Sequence, residues 1–338
     1  MQNKFEQASP LAQPALQAIS RGVQLARPAA TETRSCRMPG LNLRRNRGPW
    51  RAVSIAVMRA LLIVWLAALG LFPPWLCAQV GEEVPFITTP DNVTLAMLQL
   101  AGVGRVDHVI DLGSGDGRIV ITAARRFGAS GLGVEIVPDL VLRSREAARQ
   151  AGVERRVQFR EQDLFKTDLS AATVITMYLL PEVNLQLRPA LLQLAPGTRI
   201  VSHDWDMGDW LPDQTTTVAA PDKTIGREKF SRLHRWVVPA RAEGLWCGPG
   251  GAQLRLSQRF QVVQAQWRQG AREGLLTGLL AGRRLSLLSP ATHSPMHGHV
   301  DELTLRLDAT AAALFGPGGA GGRHAVTLRR SAAASCRA

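Results

Sequence analysis

The chain has 338 residues and 46% hydrophobic content, enough for one large domain or two ordinary ones with a sizeable core. Its net charge of +13 invites a nucleic-acid partner, yet residues 1–59 carry +8, residues 241–338 carry +7 and residues 60–240 carry −2. A nucleic-acid substrate calls for a basic stripe beside the reacting groups, so the acidic middle segment argues against one. The four cysteines, Cys36, Cys77, Cys247 and Cys336, are scattered with no CxxC and no metal-like spacing. Neither a disulfide framework nor a zinc site is expected from them.

Residues 1–59 are Arg- and Pro-rich and poorly patterned. They read as a disordered basic leader or an overlong start, with Met58 as the true first residue. Segment 60–79 is a hydrophobic signal or anchor: Ala60–Ala78 is apolar throughout and follows Arg51 and Arg59. Pro73-Pro74 interrupts any spanning helix there. Basic residues before the run and Glu82-Glu83 after it favour export or membrane attachment, with the side of the membrane left open.

Residues 84–240 alternate short apolar runs with amphipathic stretches, the pattern of a doubly wound α/β sheet. The spacing predicts strands at Val106–Leu112, Gly131–Ile136, Val157–Glu161, Ala172–Met177 and Thr198–Ser202. Later strands are expected at Thr215–Ala219 and Arg235–Val238. Helices are expected at Gly117–Phe127, Pro138–Ala151 and Pro181–Leu194. Residues 241–312 read as a small β-rich appendage, with strands at Gln253–Trp267, Gly278–Leu288 and Glu302–Leu307, and 313–338 as a disordered tail. His293, His297 and His299 sit on a Ser/Pro/Gly-rich stretch that gives no metal geometry, and no metal is expected.

The chemistry concentrates after the first strand, in Asp111-Leu112-Gly113-Ser114-Gly115-Asp116-Gly117-Arg118. Glycines there let the chain turn sharply and let a ligand approach the backbone. A dinucleotide fingerprint needs glycine where Arg118 stands. A carboxylate at Asp116, at a helix start, also repels a diphosphate. Those features disfavour a nicotinamide oxidoreductase and suit a cationic, phosphate-free nucleoside such as S-adenosylmethionine (SAM). Glu135 ends the second strand, where a carboxylate accepts from ribose hydroxyls. Asp163 follows the third strand, placed to accept from an adenine amine with Leu164 or Phe165 against the ring.

The DLGSGDGR, GVE and DLF elements resemble class I SAM-dependent methyltransferases. Thr176-Met177-Tyr178-Leu179-Leu180-Pro181 with Asn184 and Leu187-Arg188-Pro189, Val84-Pro85-Phe86 with Pro90, and the run Val201 to Trp210 resemble a narrower group. That group is the protein-lysine methyltransferase family related to the mitochondrial enzymes acting on the c-subunit of ATP synthase and the adenine nucleotide translocase. The resemblance covers roughly 84–240. It implies a seven-stranded Rossmann-like sheet and SAM contacts at Asp111, Gly113, Gly115, Glu135 and Asp163; Ser114, Asp116, Leu164 and Thr89 complete the expected cofactor contacts. It further implies that Thr88-Thr89-Pro90 and the Tyr178–Pro181 loop flank the methyl group. Tyr178, Asp204 and Asp206 lie past strand ends and are the candidate catalytic residues. The expected partner is a lysine-containing protein, with a membrane protein in view. Open alternatives are a small-molecule or RNA acceptor, with Trp205 and Trp210 stacking on it, and a non-catalytic, membrane-tethered SAM-binding module.

Overall fold

A computed structural model describes residues 86–289, 295–308, 325–333 and 335–336. The expectations for the leader, for Ala60–Ala78, for Val84-Pro85 and for His293 lie outside the described residues. Among the described residues no helix is long and apolar enough to cross a membrane.

The first element is a helix that the strand-and-helix pattern did not reveal, α1 (Asp91–Leu100). It follows Pro90 and buries Val93, Thr94, Met97 and Leu98, one face of a 3.6-residue period. Next come β1 (His108–Leu112), α2 (Arg118–Thr122, continued by a π turn over Ala123–Phe127) and β2 (Ser130–Glu135). Helix α3 (Pro138–Gln150), β3 (Val157–Glu161), β4 (Val174–Met177), α4 (Pro181–Leu191) and β5 (Arg199–His203) follow. The segment closes with β6 (Gln214–Ala219) and β7 (Phe230–Val237). Both α3 and α4 start at a proline, whose missing N–H costs nothing in a first turn.

The seven strands form one mixed sheet in the order β3-β2-β1-β4-β5-β7-β6. Strands β1 to β5 are parallel, and β7 enters antiparallel to both β5 and β6. The order reverses at β1, which pairs with β2 on one side and β4 on the other. The register sets Leu112 opposite both Val134 and Met177, so the residues after these three strands meet at one edge. Open α/β sheets bind ligands at such a switch point, outside the carboxyl ends of the strands.

Beyond Ala240 the expected β-rich appendage takes the form of a closed antiparallel barrel. Its strands are β8 (Gly244–Cys247), β9 (Gln253–Arg259), β10 (Val262–Gln269), β11 (Arg272–Ala281), β12 (Arg284–Leu288), β13 (Pro295–Val300), β14 (Thr304–Leu307) and β15 (Val326–Ser331). Their order is β10-β11-β12-β13-β14-β15-β8-β9, closed by the β15–β8 pair. Alternate residues such as Leu254, Leu256, Val263, Ala265, Leu285, Leu287, Leu305 and Leu307 fill the interior around Trp246. Closure leaves no exposed edge. Two expectations are corrected here. Part of the supposed disordered tail is the closing strand β15, because its backbone completes the barrel. Cys247 and Cys336, 89 residues apart, are disulfide-bonded. Cys247 sits on β8, beside β15, and the bond pins the chain end across that closure.

A disulfide stabilises chiefly by restricting the unfolded chain. Cys336→Ser is therefore expected to cost about 3 kcal/mol of stability. A denaturant titration of the variant beside the oxidised and reduced wild type checks this, and reduction should reproduce the substitution. His297 and His299 lie on β13, paired with Ser286 and Arg284 of β12 as ordinary ladder residues. No group of metal-binding side chains occurs among the described residues.

Sheet and barrel belong to one compact unit. The β9–β10 hairpin tip docks on the sheet through Phe260, which stacks on Trp210 with ring centroids 6.0 Å apart. Gln261 Nε2 donates to the Leu211 carbonyl at 2.6 Å. Arg259 pairs with Asp209 at 2.7 Å, and the Ala240 N–H donates to the Gly282 carbonyl at 2.7 Å.

Candidate active site

The turn after β1 is built by glycines at positive φ, with Gly113 at 73° and Gly115 at 53°. A Cβ on Gly113 would lie 2.9 Å from Leu179, and one on Gly115 would lie 2.1 Å from the Phe86 ring. Both positions therefore need glycine for conformation and for close approach. Phe86 thus covers the turn from the N-terminal side.

Asp111 is buried, and its Oδ1 accepts from Thr176 Oγ1 at 2.7 Å. Burial pushes its carboxyl up to about 7, and the charges of Asp116 and Glu135 push the same way against the Thr176 bond. Glu135 is tied to the turn: its Oε2 accepts from the Gly115 N–H at 2.9 Å, and its Oε1 accepts from the N–H groups of Ile136 and Val137. An oxygen with a single donor retains a lone pair for a hydroxyl. Ser114 is buried with a hydroxyl that has no hydrogen-bond partner.

Two expected cofactor contacts are otherwise engaged. Asp116 is not a bare carboxylate facing a ligand. It receives the Arg118 backbone N–H at 3.2 Å, Nε at 3.0 Å and Nη2 at 2.6 Å. The neighbouring cation neutralises it, and Arg118 Nη1 also donates to the Thr89 carbonyl at 2.8 Å. Asp163 caps the short turn Leu164–Lys166, with Oδ1 accepting from the Phe165 N–H at 2.9 Å. Its Oδ2 stands 3.3 Å from Lys166 Nζ. Leu164 is half-buried against the sheet core, while Phe165 is exposed.

A second cluster stands at the ends of β4 and β5. The Tyr178 ring stacks on His203, with centroids 3.9 Å apart. His203 is fully buried, with Nδ1 3.2 Å from Thr89 Oγ1 and Nε2 2.7 Å from Ser231 Oγ. Desolvation holds His203 down to about 4, so it is a neutral brace and not an ion. Tyr178 hydroxyl points at Asp204 Oδ2 from 3.5 Å. Burial first, and then the Asp204 charge, push that phenol up to about 12. Lys223 Nζ lies 2.7 Å from the same Asp204 oxygen. Thr89 joins the two clusters, since its carbonyl meets Arg118 and its hydroxyl meets His203.

Asp206 does not join them. Its Oδ1 accepts from the Gly208 N–H at 3.0 Å, capping a turn, and its side chain is exposed. Trp210 is fully buried core and cannot stack on an acceptor, whereas Trp205 is exposed. Sequence reasoning passes over His203, Arg118 and Lys223 as site members. His203 is within its reach, as a histidine at the end of β5 and preceding Asp204. Lys223 gives no local sign, because the fold returns it from a loop 19 residues further on.

The side-chain chemistry of this edge suits SAM. Buried carboxylates answer its cationic centres and the buried Ser114 hydroxyl has no hydrogen-bond partner, while Leu179 and the Phe86 ring lie over Gly113 and Gly115. A mixed seven-stranded sheet with acids at the carboxyl ends of β1, β2 and β3 and a glycine turn after β1 defines a class I SAM-dependent methyltransferase. The profile of the ANTKMT methyltransferase domain matches residues 111–214. A protein-lysine N-methyltransferase from Saccharolobus islandicus (strain REY15A) is 42% identical over 138 residues, covering 40% of this chain and 86% of the relative. The lysine N-methyltransferase of the ATP synthase c-subunit from Mus musculus is 33% identical over 185 residues, covering 53% of this chain and 73% of the relative. A solved structure from Salinibacter ruber, described as an RNA methyltransferase in complex with S-adenosyl-L-homocysteine, is 51% identical. It covers 46% of this chain and 95% of its own, with a TM-score of 0.42. The chain belongs to the protein-lysine methyltransferase family that shares the ANTKMT methyltransferase domain, and it is a SAM-dependent methyltransferase.

Proposed function

We propose that the enzyme methylates the side-chain amine of a lysine in a protein, with the Tyr178–Asp204 corner as the acceptor's seat. The observation that carries this reading is the shared carboxylate oxygen of Asp204. It faces a phenol and an ammonium within 3.5 Å, one residue past β5 and joined to the glycine turn through Thr89. SAM supplies a methyl group already activated by its sulfonium. The protein's task is then alignment, water exclusion and removal of one amine proton. Asp111 and Glu135 hold the cationic nucleoside side, beside the Phe86 ring that lies over Gly115. Tyr178 and Leu179 give the acceptor a partly apolar wall. Such a wall lowers an amine pKa from about 10.4 by desolvation. Asp204 orients the ammonium and takes its proton.

Relatives are named for the c-subunit of ATP synthase and for adenine nucleotide translocase. The apolar run Ala60–Ala78 also supports an acceptor in or beside a membrane. The purified full-length protein should therefore be incubated with methyl-labelled SAM and a membrane extract. The expected result is label on lysine in one or a few proteins, located by mass spectrometry. Label found solely in RNA or small molecules would refute the lysine assignment, and no label with intact SAM binding would favour a non-catalytic binding module.

A further inference from the structure

Asp204 is one of two non-glycine residues at positive φ among the described residues, at 63°. Such a conformation persists when its surroundings over-determine it, and it clusters at functional sites. Here the backbone of β7 does so: the Asp204 N–H donates to the Arg232 carbonyl at 2.6 Å, and the Arg232 N–H donates to Oδ1 at 3.0 Å. One carboxylate oxygen is thereby spent on fixing the side chain. The other, Oδ2, faces Tyr178 hydroxyl and His203 Nε2, each at 3.5 Å, and Lys223 Nζ at 2.7 Å. His203 is neutral, so Lys223 supplies the sole full positive charge in direct contact with that oxygen among the described residues.

Lys223 comes from the loop between β6 and β7 and is 12% exposed. Its ammonium also donates to the Phe230 carbonyl at 3.0 Å. A lysine side chain is chemically the same as the acceptor we assign to this enzyme. We infer that Lys223 is a built-in competitor: its ammonium occupies the acceptor seat on Asp204, and a substrate lysine binds by displacing it. This inference rests on the acceptor reading above. The competing explanation is a plain loop tether, in which Lys223 anchors the β6–β7 loop. The two differ in sign. Removing a tether loosens the seat and weakens amine binding, whereas removing a competitor frees the carboxylate and strengthens it.

Tyr178 is the single tyrosine of the chain, so 3-fluorotyrosine incorporation gives one ¹⁹F resonance, located in this corner. The full-length protein with SAM bound is titrated with n-butylammonium, a lysine side-chain mimic. If Lys223 fills the seat about nine-tenths of the time, Lys223→Met should saturate at roughly tenfold lower amine concentration than wild type. Lys223→Arg, which keeps a cation on Asp204, should behave like wild type. Unchanged SAM affinity by calorimetry shows that both variants are folded. An equal or weaker amine response in Lys223→Met overturns the competitor and leaves the acceptor seat standing. An amine that moves the resonance in none of the three proteins overturns the seat itself and the inference with it.

Discussion

Asp111→Asn is expected to give a folded, more heat-resistant protein that binds SAM roughly 1,000-fold more weakly. The Asn side chain can keep the acceptor oxygen that Thr176 meets at 2.7 Å, so the turn survives. The charge is what is lost. Burial lifts the Asp111 carboxyl from 3.8 to about 7, a cost on the order of 4 kcal/mol for ionising it in the folded protein. A folded-state value raised above the unfolded one stabilises fully below the unfolded value and loses that stability as pH rises through the folded one. Wild-type protein without ligand should thus lose stability between pH 4 and pH 7 from this group. The variant should not, and it should melt higher than wild type at pH 8. A cation docked beside Asp111 offsets that cost, so SAM affinity should climb with pH to about 7 in wild type and stay flat in the variant. Calorimetry with SAM across this pH range, beside thermal denaturation, reads both effects. Equal SAM affinity in the two proteins would remove Asp111 from the cofactor site.

The reach of sequence reasoning follows from which interactions are local. Strand β3 is read at its observed ends, and α3 to within a residue, because alternation and a proline at the first turn are short-range signals. The β9–β10 hairpin is read through as a single strand. Its turn, Phe260-Gln261, holds no Gly, Pro, Asn or Asp, and Phe260 sits at φ 53°. That conformation is secured by packing on Trp210 and by the Gln261 bond to Leu211, both remote in sequence. Strand β15 and the Cys247–Cys336 bond escape notice for the same reason, since the partner strand and the partner cysteine lie far upstream. At the site, the acids at the carboxyl ends of β1, β2 and β3 are legible because the fold places them there. What each carboxylate touches is not. Asp116 turns to Arg118, Asp163 to its own turn and Asp206 to Gly208, and only three-dimensional proximity brings Lys223 to Asp204.

Asp204→Asn should separate the two halves of the reaction. SAM binding should be unchanged, because Asp204 makes no direct contact with the glycine turn or with Asp111 and Glu135. kcat/KM for a lysine acceptor should fall about 1,000-fold, the usual scale for losing a proton-accepting group in place. The amide oxygen can still accept from the Arg232 N–H that holds Oδ1 at 3.0 Å, so the backbone should keep its strained turn. Tyr178→Phe tests the neighbouring group and should cost less, about tenfold, on the scale of one neutral hydrogen bond. The Tyr178 hydroxyl, pushed up to about 12, stays protonated from pH 6 to pH 10. It therefore donates and cannot serve as the base, and the phenylalanine variant should keep the wild-type pH–rate shape. Asp206→Asn is the internal control, since its carboxylate caps a surface turn and its rate should be near wild type. If Asp204→Asn and Asp206→Asn lowered the rate alike, general loop damage would explain both. A thousandfold gap between neighbours two residues apart would tie the loss to the half-buried Asp204 corner and not to the loop as a whole.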